Sequence, residues 1–202
     1  MLATDFAPGM VAVLRRHRAE AGLAAETQTM DGQALSVPDG AFDVAASNFG
    51  LIFFPDRARG LAELRRALRA GGRAGIACWD LGDSSLQRLI GAALDRVLPD
   101  RAPPPPPVWA ALGTADGMRD ALAAAGFAGV AVRRVTHHWR LEDPAGFFRT
   151  APDGSPTLRA LFAELGDSQV ARAAAAFADV VSERRGPDGL PMSAFIGVGT
   201  RA

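Results

Sequence analysis

The chain has 202 residues with 22 basic and 22 acidic side chains and no formal net charge. That length buries roughly 70% of the unfolded surface in one sizeable core, with no disulfide or metal staple required. Cys78 is the single cysteine, every basic residue is arginine and tyrosine is absent, which excludes a disulfide scaffold, a Schiff-base or P-loop lysine, a kinase phosphate-binding lysine and a tyrosine–lysine proton-transfer pair.

Short apolar runs alternate with helical patterns, the signature of an α/β fold around a mostly parallel sheet. Residues 1–4 read as a strand ending at Asp5. Pro8, suited to a first helical turn, opens a helix with Met10, Val13, Leu14 and Ala21 near one face and Gly22 at its end. Residues 25–30 read as the next strand, ending at Asp31, and the turn Pro38-Asp39-Gly40 leads to a strand over residues 42–49. Asp56 caps a helix in which Ala58, Leu61, Leu64 and Leu68 recur, with Gly71 and Gly72 ending it; residues 73–79 then form a buried strand.

Asp83 and Ser84 open a further helix through Leu86, Leu89, Ile90, Leu94 and Val97. Five prolines at 103–107 read as a stiff polyproline II segment, a ligand for a proline-binding domain or, more simply, a surface loop. Residues 114–125 read as a helix capped by Gly126, and residues 130–141 as a long strand. Pro144 opens a short helix with Phe147 and Phe148, two helical patterns cover 158–165 and 170–181, and the turn at 186–189 leads to a last strand over 192–199. No repeat or linker divides the chain, so the expectation is a single domain over 1–202.

Balanced charge without a basic tract argues against a nucleic-acid partner. The longest apolar runs fall far short of the ~20 residues that span a bilayer. With Asp5 and no basic region ahead of an apolar stretch, the N-terminus does not read as a signal peptide. A cytoplasmic protein without membrane contact is expected.

In open α/β sheets ligands bind beyond the carboxyl ends of the strands, here at Asp5, at Asp31 and in the run Ser47-Asn48-Phe49-Gly50. A carboxylate at the first position offers two oxygens to the two hydroxyls of a ribose, and an acid after the following strand can accept from an adenine amino group. Each aspartate alone fits a helix cap or turn; the pair in this frame favours a nucleoside site.

These stretches resemble the class I S-adenosylmethionine-dependent methyltransferases, in particular the ubiquinone/menaquinone-biosynthesis-like group acting on small molecules. The matching pieces are residues 3–10, Asp31-Gly32-Gln33-Ala34-Leu35, residues 38–43, 47–51, Phe54-Pro55-Asp56 and 63–73, in the family's order over about residues 3–80. The resemblance implies a Rossmann-like sheet with helices on both faces, S-adenosylmethionine as cofactor and a small-molecule acceptor. By it, Asp5 would hold the ribose, Phe6 and Met10 would pack near the adenosine, and Asp31, Gly32 and Gln33 would read the adenine. Asn48 and Phe49 would border the methionine moiety and the acceptor. It also divides the chain into a cofactor-binding part, 1–80, and an acceptor-side part with the remaining strands, 81–202.

The departure from the family is its first strand and glycine-rich loop, which belong roughly 20 residues ahead of the acid. Gly71-Gly72-Arg73-Ala74-Gly75 joins a helix to a strand, and Gly197-Val198-Gly199 has no following helix, whereas a cofactor cradle joins a strand to a helix. In the family that first strand lies between the strand ending at Asp5 and the one over 42–49. The expectation is an N-terminally shortened methyltransferase with impaired activity and unpaired sheet edges open to self-association.

Other candidates carry less. His137 and His138 are adjacent in a strand and point to opposite faces, so they cannot grip one metal, and one could face the acceptor as a base. His17 stands among arginines on a solvated face, and Cys78 reads as a small core residue. Asp80, after Trp79 at the ligand-facing sheet edge, is the acid best placed for an acceptor or for capping a helix. Trp139, Phe147 and Phe148 fit an acceptor pocket or, more simply, the core. No metal-ligand spacing and no catalytic residue emerges. Two rivals stay open: a non-catalytic fragment serving as an interaction module, and a nicotinamide-dependent oxidoreductase.

Overall fold

The computed structural model describes residues 1–82, 85–102, 106–154 and 156–202. In chain order the elements are β1 (Leu2–Asp5), α1 (Pro8–Glu20), β2 (Glu26–Thr29), β3 (Phe42–Asn48), α2 (Arg57–Ala67), β4 (Leu68–Trp79), α3 (Leu86–Val97), α4 (Ala115–Ala124), β5 (Phe127–Trp139), α5 (Pro144–Thr150), α6 (Pro156–Ala163), α7 (Asp167–Arg184) and β6 (Leu190–Arg201). They fall into two compact units. The first holds Met1–Cys78, Ala115–Arg133 and Ile196–Ala202; the second holds Trp79–Thr114 and Arg134–Phe195.

The expected α/β pattern is present, with the strands gathered in two groups. β1 pairs parallel with β2, Leu2 opposite Glu26 and Asp5 opposite Thr29. β3 pairs parallel with β4, from Phe42 opposite Leu68 to Asn48 opposite Ala77, in a sheet of order β3-β4-β6-β5. β1 and β3 therefore each have one neighbour and one unpaired edge among the described residues.

In the first unit α1 lies against β1 and β2, and α2 against β3. Leu61, Ala67, Leu68, Ala74, Ile76, Met118, Leu122 and Phe127 are buried there. The buried stripe of α1 is Val11, with Leu14 and Arg18 half-buried, whereas Met10 and Val13 point to solvent. That shifts the expected face by about one residue, because Val11 and Leu14 are the positions that close over the two short strands.

α2 ends earlier than the glycines suggest. Leu68 is fully buried and extended, and it pairs at once with Phe42, so the helix stops at Ala67. The register then breaks between Phe42 and Val44 as the β4 partner moves from Leu68 to Arg73. Gly71 takes φ +73° in this irregularity, a conformation that costs any residue with a Cβ. Arg201 holds the junction, donating from Nη1 to the carbonyls of Arg65, Arg66 and Leu68.

The second unit has a helical core. α7 presents Ala173, Ala174, Phe177, Val180 and Val181 at helical spacing, buried with Leu89, Ile90, Ala93 and Leu94 of α3. The Phe148 ring is fully buried, 5.3 Å from Phe177 and 5.0 Å from Phe162, and Trp139 meets Phe147 edge-on at 4.8 Å. These aromatics pack with the core, which favours the simpler of the two sequence readings. Ser85 caps α3 by accepting from Arg88 N–H at 3.4 Å. The expected opening at Asp83 and Ser84 lies outside the described residues, as do Pro103, Pro104 and Pro105 of the proline run.

Candidate functional site

Asp5 and Asp31 stand at the same end of one strand pair. Asp5 closes β1, and its carbonyl accepts from Met30 N–H at 3.0 Å across to the neighbouring strand; Asp31 is the next residue. Adjacent strands lie about 4.8 Å apart, so two carboxylates leave one sheet rim side by side. Each uses Oδ1 locally. Asp5 accepts from Ala7 N–H at 2.7 Å, which sets the first turn of α1, and Asp31 accepts from Gln33 N–H at 2.8 Å and from Gln33 Nε2 at 3.3 Å. Oδ2 of each carboxylate has no protein hydrogen bond among the described residues. Beside them Phe6 is 75% and Met10 57% exposed, large apolar side chains left in solvent at the rim.

The segment after Asp31 is fixed from α2. A Cβ on Gly32 would fall 2.2 Å from Phe54 Cζ, so the phenyl ring fits only against glycine. Gln33 is held twice: its side-chain Oε1 accepts from Asp56 N–H at 2.8 Å, and its carbonyl accepts from Arg59 Nε at 2.8 Å. Asp56 in turn caps α2 by accepting from Arg59 N–H at 2.9 Å. Further along, Leu35 N–H donates to Glu63 at 2.8 Å. Arg66 donates to the carbonyls of Leu35 and Val37, both at 2.8 Å, to Glu63 at 2.8 Å and to Asp39 at 2.5 Å.

This network sets the protonation states. The Arg66 hydrogen bond holds the Glu63 carboxyl below the usual carboxylate range against the opposing effect of burial, with Leu35 N–H adding to the effect. Arg66 itself is held more firmly protonated by Glu63 and Asp39.

The third candidate segment lies at the carboxyl end of β3. Asn48 pairs with Ala77, and Phe49 still donates its N–H to the Ala77 carbonyl at 3.1 Å, but with φ +57°. It is the one non-glycine with positive φ among the described residues. That conformation costs about 1–2 kcal/mol and turns the chain sharply out of the strand. Ser47 Oγ secures the turn by accepting from Leu51 N–H at 3.1 Å. Asp31, Gly32 and Gln33 are thus brought against Phe54–Asp56, and Asp5 beside Asp31. Asn48 makes no hydrogen bond to either aspartate among the described residues.

In the second unit Asp80 follows β4, with its side chain 11% exposed, and accepts from Gly82 N–H at 2.8 Å and from Arg134 Nε at 2.6 Å. His137 and His138 are exposed on β5. Among the described residues no group of three or more His, Cys, Asp or Glu could hold a metal ion, and no helix is long and apolar enough to cross a membrane.

The sequence reading missed the part played by Phe54, Asp56, Arg59, Glu63 and Arg66 in fixing residues 31–39. Their only trace in the sequence is the Phe-Pro-Asp and Glu-Leu-Arg-Arg pieces, which carry no marker of a bond to a distant carbonyl.

The methyltransferase domain family matches residues 1–76. A demethylmenaquinone methyltransferase of Thermus thermophilus is 42% identical over 73 residues, 36% of this chain and 33% of that protein. The ubiquinone/menaquinone biosynthesis C-methyltransferase UbiE of Geobacter sulfurreducens is 36% identical over 103 residues, 49% of this chain and 40% of that protein. The chain thus spans between a third and two fifths of the length of these curated relatives. Among solved structures, the phosphoethanolamine N-methyltransferase 2 of Haemonchus contortus, in complex with S-adenosyl-L-methionine, superposes with a TM-score of 0.55 at 13% identity, covering 100% of this chain and 43% of that one. The segment that carries the paired aspartates is thus similar to methyltransferase domains, and the fold around it is like that of solved methyltransferases.

Proposed function

We propose that the chain acts in methyl transfer from S-adenosylmethionine to a small-molecule acceptor, and that Asp5 and Asp31 hold the nucleoside of that cofactor. The supporting observation is the pair of carboxylates leaving adjacent strand ends, each with one oxygen committed to its own turn and the other available. Asp5 would accept from the ribose hydroxyls, and Asp31, with Gly32 and Gln33, would meet the adenine edge, Phe6 and Met10 supplying apolar contact. When bound, the cofactor supplies an electrophilic methyl on a sulfonium whose departure leaves a neutral thioether. The chain's own task is then alignment and exclusion of water, which needs no nucleophile and a base only for an acceptor that must lose a proton. Asn48 and the strained turn at Phe49 would border the methionine end. In this reading residues 1–80 serve the cofactor and 81–202 the acceptor and the remaining strands.

The residues present fit the adenosine half. Among the described residues no glycine-rich segment joins a strand to a helix, so this chain by itself would hold the methionine half weakly and transfer slowly. Titration calorimetry with S-adenosylhomocysteine, adenosine and NADH tests the reading. S-adenosylhomocysteine and adenosine should bind with similar affinity, and Asp5→Ala and Asp31→Ala should each weaken both by about tenfold or more, the scale of one charged hydrogen bond. Binding of NADH alone would favour an oxidoreductase, and binding of none a non-catalytic module.

A further inference from the structure

We propose that a cavity in the second unit, lined by the loop that follows α3, the end of α6 and the first turn of α7, binds a free apolar amino acid as its zwitterion. Arg101 takes the carboxylate, and the acids Asp100 and Glu164 take the ammonium group. The cavity measures about 410 Å³, near the lower end of the roughly 300–1,000 Å³ usual for small-molecule sites. All its lining residues belong to the second unit.

Arg101 carries the inference. As α3 ends, Leu98 N–H donates to the Leu94 carbonyl at 2.8 Å, and Arg101 N–H donates to the Leu98 carbonyl at 3.1 Å, which fixes the residue on a hydrogen-bonded turn. Its side chain is only 17% exposed, and one end is held by Nη2, which donates to Asp95 at 3.3 Å. Its Nε is buried without a hydrogen-bond partner, the one side-chain nitrogen or oxygen so placed among the described residues. A buried donor on a charged group is costly to leave unpaired, so the position calls for an acceptor. Gln169 adds a second donor: its Oε1 accepts from Gly166 N–H at 2.9 Å, which leaves Nε2 without a hydrogen bond among the described residues.

The other lining residues decide what carries that acceptor. Val97, Leu98, Leu161 and Leu165 are half-buried and call for an apolar body. Asp100 and Glu164 are exposed carboxylates lining the same cavity. A simple apolar acid would satisfy Arg101 but meet two charges of its own sign, and a simple amine would satisfy the acids but leave Nε unpaired. An α-amino acid with a branched or aromatic side chain answers all three demands. This inference rests on the cavity and its charges, not on the methyl-transfer reading, and its test uses no nucleoside.

The test is titration calorimetry of the full chain with L-leucine and L-phenylalanine, compared with phenylpropionate, which lacks the ammonium group, and phenethylamine, which lacks the carboxylate. Saturable binding is expected of at least one amino acid, with both comparison probes about tenfold weaker or more. Arg101→Leu keeps an apolar side chain and removes the unpaired donor; it should weaken amino-acid binding about tenfold or more without lowering the melting temperature of the free protein. The double variant Asp100→Asn, Glu164→Gln, at two exposed positions, should weaken amino-acid binding while leaving that of phenylpropionate equal or stronger. Arg149→Gln, exposed on α5, should change nothing. Hydrogen exchange with saturating amino acid should slow at residues 98–101 and 165–169. No saturable binding of either amino acid, phenylpropionate bound as tightly as phenylalanine, or an affinity that Arg101→Leu leaves unaltered overturns the proposal.

Discussion

Replacing Phe49 by glycine and, separately, by alanine isolates the backbone strain at the end of β3. Both variants lose the same phenyl ring, so the difference between them reports the φ of +57°. A Cβ in the left-handed region costs about 1–2 kcal/mol. Glycine's greater freedom in the unfolded chain offsets about 0.4–1 kcal/mol of the relief. The balance leaves Phe49→Gly more stable than Phe49→Ala by about 0.8 kcal/mol. At roughly 2–4 °C per kcal/mol for a chain of this size, the melting temperatures should differ by about 2–3 °C. Ala45 lies in the same strand with ordinary φ, and there the sign reverses: Ala45→Gly should destabilise by about 0.5–1 kcal/mol. Urea denaturation of the three variants and the parent gives all four values. A Phe49→Ala protein as stable as Phe49→Gly would mean that the turn is not strained as described, and that the site's outline at Asn48 and Phe49 differs from the one proposed.

Glu63 makes stability depend on pH. Its folded carboxyl is held low by Arg66, so its contribution is complete above the unfolded value of about 4.3 and is lost as pH falls through the lower folded value. Melting curves from pH 7 to pH 3 should show a decline that Glu63→Gln partly flattens; an identical decline in both proteins would show that Glu63 does not contribute. Phe177→Ala removes a fully buried ring between Phe147 and Phe148 and should destabilise by about 3–5 kcal/mol, read by urea denaturation; a loss under 1 kcal/mol would contradict its central place in the helical core.

What could be read from the sequence was whatever short-range chemistry decides. Pro8, the Asp56 cap, Gly126 and the turn at 186–189 each act within a few residues, and α1, α2, α4 and β6 lie within a few residues of where these signals put them. The end of α2 was misplaced because Leu68 is claimed by pairing with Phe42 across the sheet, a tertiary contact that outweighs the local signal of Gly71 and Gly72. The α1 face was off by about one residue because two short strands offer little surface to choose between neighbouring stripes. Asp5 and Asp31 could be placed at neighbouring strand ends, the rim where ligands meet such sheets. The hold on residues 31–39 could not, since Arg66 reaches the carbonyls of Leu35 and Val37 across about thirty positions. The left-handed turn at Phe49 was equally silent, as phenylalanine there follows no propensity.

The most direct test of the nucleoside grip is saturation-transfer NMR with S-adenosylhomocysteine on the unmodified chain, which reads weak binding atom by atom. The adenine and ribose protons should receive more saturation than the amino-acid side chain, and Asp5→Ala should diminish the ribose signals most and Asp31→Ala the adenine signals. Equal transfer along the whole ligand, or signals that neither substitution alters, would contradict the account.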